Sequence, residues 1–154
     1  MNNKNLGKIV VDWYKKENFS MPWRIDFNPY KVWVSEIMLQ QTQVKTAIPY
    51  YNKWMKKLPT INSLACAKID DVLKLWEGLG YYRRAKNLHK TATILVKNYN
   101  SKLPKKFEKI IKLPGVGEYT ASALSALVHN KECIPIDGNV KRVFSRLFLS
   151  DINI

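Results

Sequence analysis

Two acidic residues stand in settings that suit acid–base work. Glu36 lies in Val32-Trp33-Val34-Ser35-Glu36-Ile37-Met38-Leu39, the most apolar run of the chain. If that run is helical, Val32, Trp33 and Leu39 are its surface neighbours at i−4, i−3 and i+3. A carboxyl among such groups loses water, and desolvation favours the protonated form. A carboxylic acid still protonated near neutral pH can act as a general acid. The plainer alternatives are a glutamate facing solvent, or one buried against a base. Asp137 lies in Ile134-Pro135-Ile136-Asp137-Gly138-Asn139-Val140-Lys141-Arg142-Val143, where it can cap a helix that begins near Gly138. Capping and catalysis do not exclude each other. Backbone N–H donors would hold Asp137 ionised while Glu36 stays neutral. An acid for a leaving group, beside an anion for an oxocarbenium-like sugar, suits cleavage of a glycosidic bond.

A second feature suits a phosphate. Phe107 to Leu113 reads as a short helix, Pro114-Gly115-Val116-Gly117 as a turn, and Glu118 to Val128 as a second helix. Pro114 cannot continue the first helix without losing a hydrogen bond. Gly115 and Gly117 permit positive φ and bring bare backbone to the surface. The free N–H groups that open the second helix attract a phosphate oxygen, with Lys112 beside them. Ala121, Leu124 and Val128 would turn that helix inward. The alternative is an ordinary helix–helix turn without a ligand. A DNA backbone held here would be positioned, with no sequence read.

The elements that must position these groups are helical. Ala85, Leu88, Ala92, Leu95 and Tyr99 are spaced as one stripe, which predicts a helix over 83–99. Val72, Leu73, Leu75 and Trp76 predict another over 70–77, closed by Gly78. Asn28-Pro29 is an N-cap followed by proline at the first helical position, and it opens the helix of Glu36. Pro49, Pro59, Pro104 and Pro114 punctuate the rest. Sustained strand alternation is missing, so the fold class is all-α, a bundle of short helices.

The chain has 154 residues and an ordinary apolar fraction of 46%, which excludes a disordered, collagen-like or coiled-coil chain. Lys plus Arg is 26 against 12 acidic residues, a net charge of +14. Such an excess points to an anionic polymer, nucleic acid before an acidic membrane surface. All basic residues but Arg24, Arg83, Arg84, Arg142 and Arg146 are lysine, so a general lysine bias is the competing account. No run approaches the roughly 18–20 apolar residues of a membrane span, and no targeting signal opens the chain. Cys66 and Cys133 are expected as reduced, buried thiols of a cytoplasmic protein.

Taken together, these residues resemble the helix-hairpin-helix (HhH-GPD) DNA glycosylase superfamily, and within it the MutY-like adenine DNA glycosylases. The resemblance runs from about Val11 to Leu147. It rests on Pro22-Trp23-Arg24, on Pro29 through Val44 with its Met38-Leu39-Gln40-Gln41-Thr42-Gln43-Val44, on Trp76-Glu77-Gly78-Leu79-Gly80-Tyr81-Tyr82-Arg83-Arg84-Ala85, on Leu113 to Gly117, and on Asp137 to Val143. The hairpin alone marks the superfamily, and the other stretches mark the MutY-like branch.

The resemblance implies removal of adenine mispaired with 8-oxoguanine or guanine in double-stranded DNA. Glu36 matches the acid that protonates the flipped adenine, Asp137 the carboxylate that steadies the sugar cation, and Tyr119 an assisting position. Arg24 matches an adenine-pocket residue. Gln41 and Tyr81 match residues that enter the helix at the lesion, Tyr81 as an intercalating wedge. Gln40 joins them among the DNA-contacting residues, with Lys112, Gly115, Val116 and Gly117 of the hairpin. One of Tyr81 and Tyr82 is expected in the core. Bifunctional members carry a lysine at position 119, an amine that forms a Schiff base with the sugar. A phenol cannot, so hydrolysis without strand cleavage is expected.

The expected architecture is a six-helix barrel over 22–129, including the hairpin 107–128, with 1–21 and 130–154 as an incomplete second helical lobe. Ile9, Val10, Trp13 and Tyr14 would lose part of their partner surface there. In the family a 4Fe-4S cluster on four cysteines and a domain recognising 8-oxoguanine follow. Cys66 and Cys133 do not match the ligand positions, so no cluster is expected on 1–154 and no metal site is assigned. A monomer is expected. Two other readings stand beside the enzyme: a DNA-binding fragment without turnover, and an endonuclease III-like glycosylase of different base specificity.

Overall fold

All regular structure among the described residues is helical. The computed structural model describes residues 3–17 and 21–148. In chain order the elements are α1 (Asn3–Glu17), a 3-10 turn (Pro22–Arg24), α2 (Pro29–Met38), α3 (Val44–Lys57), α4 (Ile61–Cys66), α5 (Ile69–Trp76), α6 (Arg83–Tyr99), α7 (Phe107–Ile110), α8 (Glu118–His129) and α9 (Gly138–Phe148).

The centre of the fold is α2. The Asn28 side chain accepts hydrogen bonds from the Tyr30 and Lys31 amides at 3.0 and 3.3 Å. Pro29 takes the first helical position, where its missing N–H is no loss. From Tyr30 to Met38 every residue but Lys31 is buried. A helix apolar on all sides needs neighbours on all sides. The 3-10 turn, α3, α6 and α8 supply them.

Indole rings fill the space around it. Trp23, Trp33, Trp54 and Trp76 are fully buried. Trp54 meets Trp76 edge-on, with centroids 5.6 Å apart, and Trp23 meets Tyr51 the same way at 5.1 Å. The Tyr30 hydroxyl donates to the Leu58 carbonyl (2.6 Å) and accepts from Trp54 Nε1 (3.0 Å), so a buried polar pair is satisfied. The core cluster runs from Trp23 to Leu124. Among the described residues, neither α1 nor α9 adds to it, and Ile9, Val10, Trp13 and Tyr14 are about half exposed.

The predicted stripe of α6 holds: Ala85, Leu88, Ala92 and Leu95 are buried, and Tyr99 packs at the edge. The 70–77 helix is α5, with Val72 and Trp76 inward and Gly78 at φ +93° just past its end. Three local expectations change. Pro49 lies inside α3 rather than bounding it. It removes one intrahelical bond, but Ala47, Tyr51 and Trp54 bury one face across it and hold the helix. The first helix of the hairpin ends at Ile110, with Leu113 N donating to Ile110 O (3.0 Å) in a tightened turn. Pro114 disfavours the α region for the residue before it, which accounts for the early end. Cys66 is exposed and Cys133 half-buried rather than both buried. In α4 the inward positions are Ile61 and Leu64, and a residue two past Leu64 points to the opposite side.

Candidate active site

Glu36 sits in the last turn of α2 and is 5% exposed. Burial pushes its carboxyl above the usual carboxylate range, and the positive charge of Arg24 opposes the shift. Of the settings the apolar run leaves open for Glu36, the structure shows the buried one. Tyr119, the second residue of α8, is 40% exposed. Its phenol is also pushed up, first by partial burial, then by the negative charges of Glu36 and Asp137, with Arg24 opposing. Four groups from four parts of the chain therefore share one electrostatic neighbourhood.

Asp137 caps α9. Its Oδ1 accepts from the Val140 amide at 2.8 Å and its Oδ2 from Asn139 Nδ2 at 3.1 Å. The cap fixes the carboxylate at the head of a helix, whose dipole favours an anion there.

These side chains line one open cleft of about 940 Å³. Arg24, Glu36, Gln40, Gln41, Tyr81, Tyr119 and Asp137 all border it. Two of them stand on backbone that side chains rarely adopt: Gln41 at φ +57° and Tyr81 at φ +48°. Such strain persists only where surrounding contacts enforce it, and it gathers at functional sites. Tyr81 is 65% exposed and Tyr82 43%, so neither enters the core. The chain leaves Gly80 outward there, with the Gly80 carbonyl held by Trp76 Nε1 at 2.9 Å. Gln40 reaches across to the hairpin, its Nε2 donating to Thr120 Oγ1 (3.3 Å) and to the Gly115 carbonyl (3.4 Å).

The hairpin stands beside the cleft. Gly115 adopts φ +79°, and a Cβ there would sit 2.8 Å from Asn87 Cβ. Gly117 does not use positive φ. At φ −94° and ψ −179° it is ordinary extended backbone that caps α8 without a side chain. Its lack of bulk, rather than its conformation, keeps the helix end open. The first bond within α8 runs from Ala121 N to the Gly117 carbonyl at 2.9 Å, so the amides ahead of it point out of the helix end. Val116 turns its side chain into the core and gives its N–H to the Leu113 carbonyl (3.1 Å). Lys112 is exposed. One ion pair, Lys31 with Asp26 at 2.6 Å, is seen among the described residues. Among the described residues, carboxylates thus neutralise little of the cationic excess.

Among the described residues, no three of His, Cys, Asp and Glu gather where they could hold a metal ion. Two thiols, Cys66 and Cys133, stand where a 4Fe-4S cluster takes four. The residues present do not fit that group. No described helix is long and apolar enough to cross a membrane.

Sequence reasoning passed over Thr42, Arg84, Asn87 and Asn139, which also line the cleft. Arg84 had a signal. It precedes Leu88 by four residues, on the inward stripe of α6, where a solvent-facing arginine would not stand.

The family described as "HhH-GPD superfamily base excision DNA repair protein" matches residues 34–153. The chain belongs to that superfamily. It is 48% identical over 147 residues to an adenine DNA glycosylase of Buchnera aphidicola subsp. Baizongia pistaciae, covering 95% of this chain and 42% of that protein. It is 42% identical over 147 residues to the adenine DNA glycosylase of Homo sapiens, covering 90% and 27%. For the Mycobacterium tuberculosis (strain ATCC 25618 / H37Rv) adenine DNA glycosylase the identity is 38% over 138 residues, covering 89% and 45%. The chain spans less than half the length of each. Among solved structures, a thermostable thymine-DNA glycosylase superposes with a TM-score of 0.85 at 25% identity, covering 92% of this chain and 66% of that one. Endonuclease III in a trapped covalent complex with DNA superposes at 0.82 and 19% identity, covering 100% and 73%. The second likeness is one of fold.

Proposed function

We propose that this chain is the catalytic part of a base-excision glycosylase that hydrolyses the N-glycosidic bond of adenine mispaired with 8-oxoguanine or guanine, leaving the strand intact. One observation carries the reading: a buried Glu36, its carboxyl pushed above the usual range by desolvation, shares an open cleft with Tyr119 and a helix-capping Asp137. The duplex approaches as a polyanion, and the hairpin's amides and Lys112 hold its backbone. A base inside a duplex must leave the stack before its sugar bond is reached, at a cost of a few kcal/mol. Tyr81 and Gln41 take up the vacated space, and stacking on such a ring is worth about 1–3 kcal/mol. Arg24 borders the pocket for the extruded adenine. Glu36 gives its proton to the departing base. The glycosidic electron pair leaves with that base, and the cationic sugar forms opposite the Asp137 carboxylate. Water adds to the sugar and gives up a proton to the Glu36 carboxylate, which restores the acid and leaves an abasic site. Tyr119 offers no amine, so no imine forms. Residues 22–129 act as the barrel, with the described parts of 1–21 and 130–154 belonging to a second lobe whose remaining residues, 1–2, 18–20 and 149–154, lie outside the described ones; the chain works as a monomer on chromosomal DNA in the cytoplasm.

A second reading, DNA binding without turnover, draws on the chain's covering only 27–45% of its relatives. Single-turnover release of adenine from a duplex with adenine opposite 8-oxoguanine, read after alkali, separates them. Excision by the wild-type chain and its loss in Glu36→Gln support the enzyme. Binding without excision by a folded chain supports the fragment. Equal excision in both proteins removes Glu36 from its role.

A further inference from the structure

Arg84 occupies an unusual place. It is the second residue of α6, where the helix dipole disfavours a cation, and it is only 8% exposed. Its guanidinium is turned away from its own helix, onto two loops. The two N–H groups of Nη1 are shared among four acceptors within hydrogen-bond distance, the carbonyls of Ile37 (3.3 Å), Met38 (2.8 Å) and Gln40 (2.5 Å) and Thr42 Oγ1 (3.2 Å). Nη2 donates to the carbonyls of Leu79 (3.2 Å) and Gly80 (3.1 Å). Its carbon lies 5.2 Å from the Trp76 ring centroid and 5.5 Å from that of Tyr81.

The first set of acceptors is the end of α2 and the loop that follows it. The last carbonyls of a helix have no partner within it and carry the negative end of its dipole. A cation satisfies both needs. The second set is the turn before Tyr81. One planar fork therefore spans the two segments that present Gln41 and Tyr81, the two cleft residues with positive φ. The fork's fixed geometry is something a lysine cannot reproduce.

We propose that Arg84 is a positioning residue that sets the spacing between Gln41 and Tyr81, and so decides whether the two side chains can enter a duplex together. The proposal rests on the reading that this cleft opens DNA. Arg84 touches no reacting atom. It acts by holding two strained loops in one register, and a misplacement of about 1 Å in such a site costs on the order of 10²-fold in rate.

The test uses the full chain and two 2-aminopurine duplexes, one with the fluorescent base opposite guanine and one fully matched. Base extrusion raises the fluorescence. The wild type should raise it in the mispaired duplex. Arg84→Lys keeps the charge but loses the fork. It should bind the matched duplex as the wild type does and give at least a tenfold smaller population of extruded base. Equal extrusion by Arg84→Lys and wild type overturns the proposal. If the wild type itself raises no fluorescence, the reading of the cleft fails, which is a different result. If circular dichroism shows Arg84→Lys unfolded, Thr42→Val decides. It removes one leg of the fork and should cut extrusion several-fold at an unchanged melting temperature. Unchanged extrusion in that variant overturns the proposal.

Discussion

Gln40 donates its side-chain amide to the hydroxyl of Thr120, 3.3 Å away and eighty residues along the chain. The bond joins the loop after the acid-bearing helix to the second helix of the hairpin. It thereby ties the loop that carries Gln41 to the helix that opens with the hairpin's free amides. Replacing Gln40 by Met keeps the length and removes the donor. The expected loss is about 0.5–1.5 kcal/mol of stability, with weaker binding to mispaired DNA than to matched DNA. Thermal melting and paired titrations measure both.

Glu36→Gln should abolish adenine release, by a factor on the order of 10²–10⁴, without unfolding the chain. Its effect on stability has a definite sign. Burial raises the folded pKa of Glu36. Below the unfolded value, about 4.3, both states carry the proton and nothing is lost. As pH climbs through the raised folded value, the folded state must bury a charge, so stability falls. Glu36→Gln escapes this. It should melt above the wild type at neutral and alkaline pH, and the gap should close near pH 4. Excision by the wild type should decline as pH climbs through the same range.

The two hairpin glycines should behave differently. Gly115→Ala meets both a positive φ and Asn87 Cβ at 2.8 Å, and should cost about 1–3 kcal/mol. Gly117→Ala meets open space at an ordinary φ, and should cost less than about 1 kcal/mol. Melting curves of the pair make the comparison, and equal losses would contradict the geometry.

Tyr119→Lys places an amine on the cleft wall that Glu36 and Asp137 share. On DNA carrying an abasic site, this variant should form an imine that borohydride traps as a protein–DNA crosslink. The wild type should form none there. Strand breaks made by wild type, rather than a crosslink through another lysine such as Lys141, would contradict hydrolysis without strand cleavage.

Binding to a matched duplex should weaken steeply with salt. Each neutralised phosphate contributes a slope of about −0.9 in log K against log salt. Lys112→Gln should shift the slope by about one such unit. An affinity that stays level from low to high salt would remove the phosphate-holding role of the hairpin.

Much of this protein is written locally. The Asn28–Pro29 start of α2, the stripe of α6, the Gly78 stop and the Asp137 cap each depend on residues within a turn or so of one another. Nearest-neighbour chemistry settles these, whereas the apolar run around Glu36 leaves its burial open, and the elements packed around α2 decide it. What the chain does not spell out is contact across long separations. Pro49 lies within α3 because Tyr51 and Trp54 find a core on its far side. Both Tyr81 and Tyr82 stay outside the core, on a turn where Gly80 and Tyr81 adopt positive φ. Lys112 faces solvent whereas Arg84 staples two loops, and although the stripe of α6 turns Arg84 inward, only the fold shows which carbonyls it meets. Hydrogen bonds and periodicity act over a few residues, whereas the docking of α2, α6 and α8 is a balance of packing over the whole core, and it is that docking which brings Glu36 and Tyr119 to one cleft, with Asp137 bordering it from the head of α9.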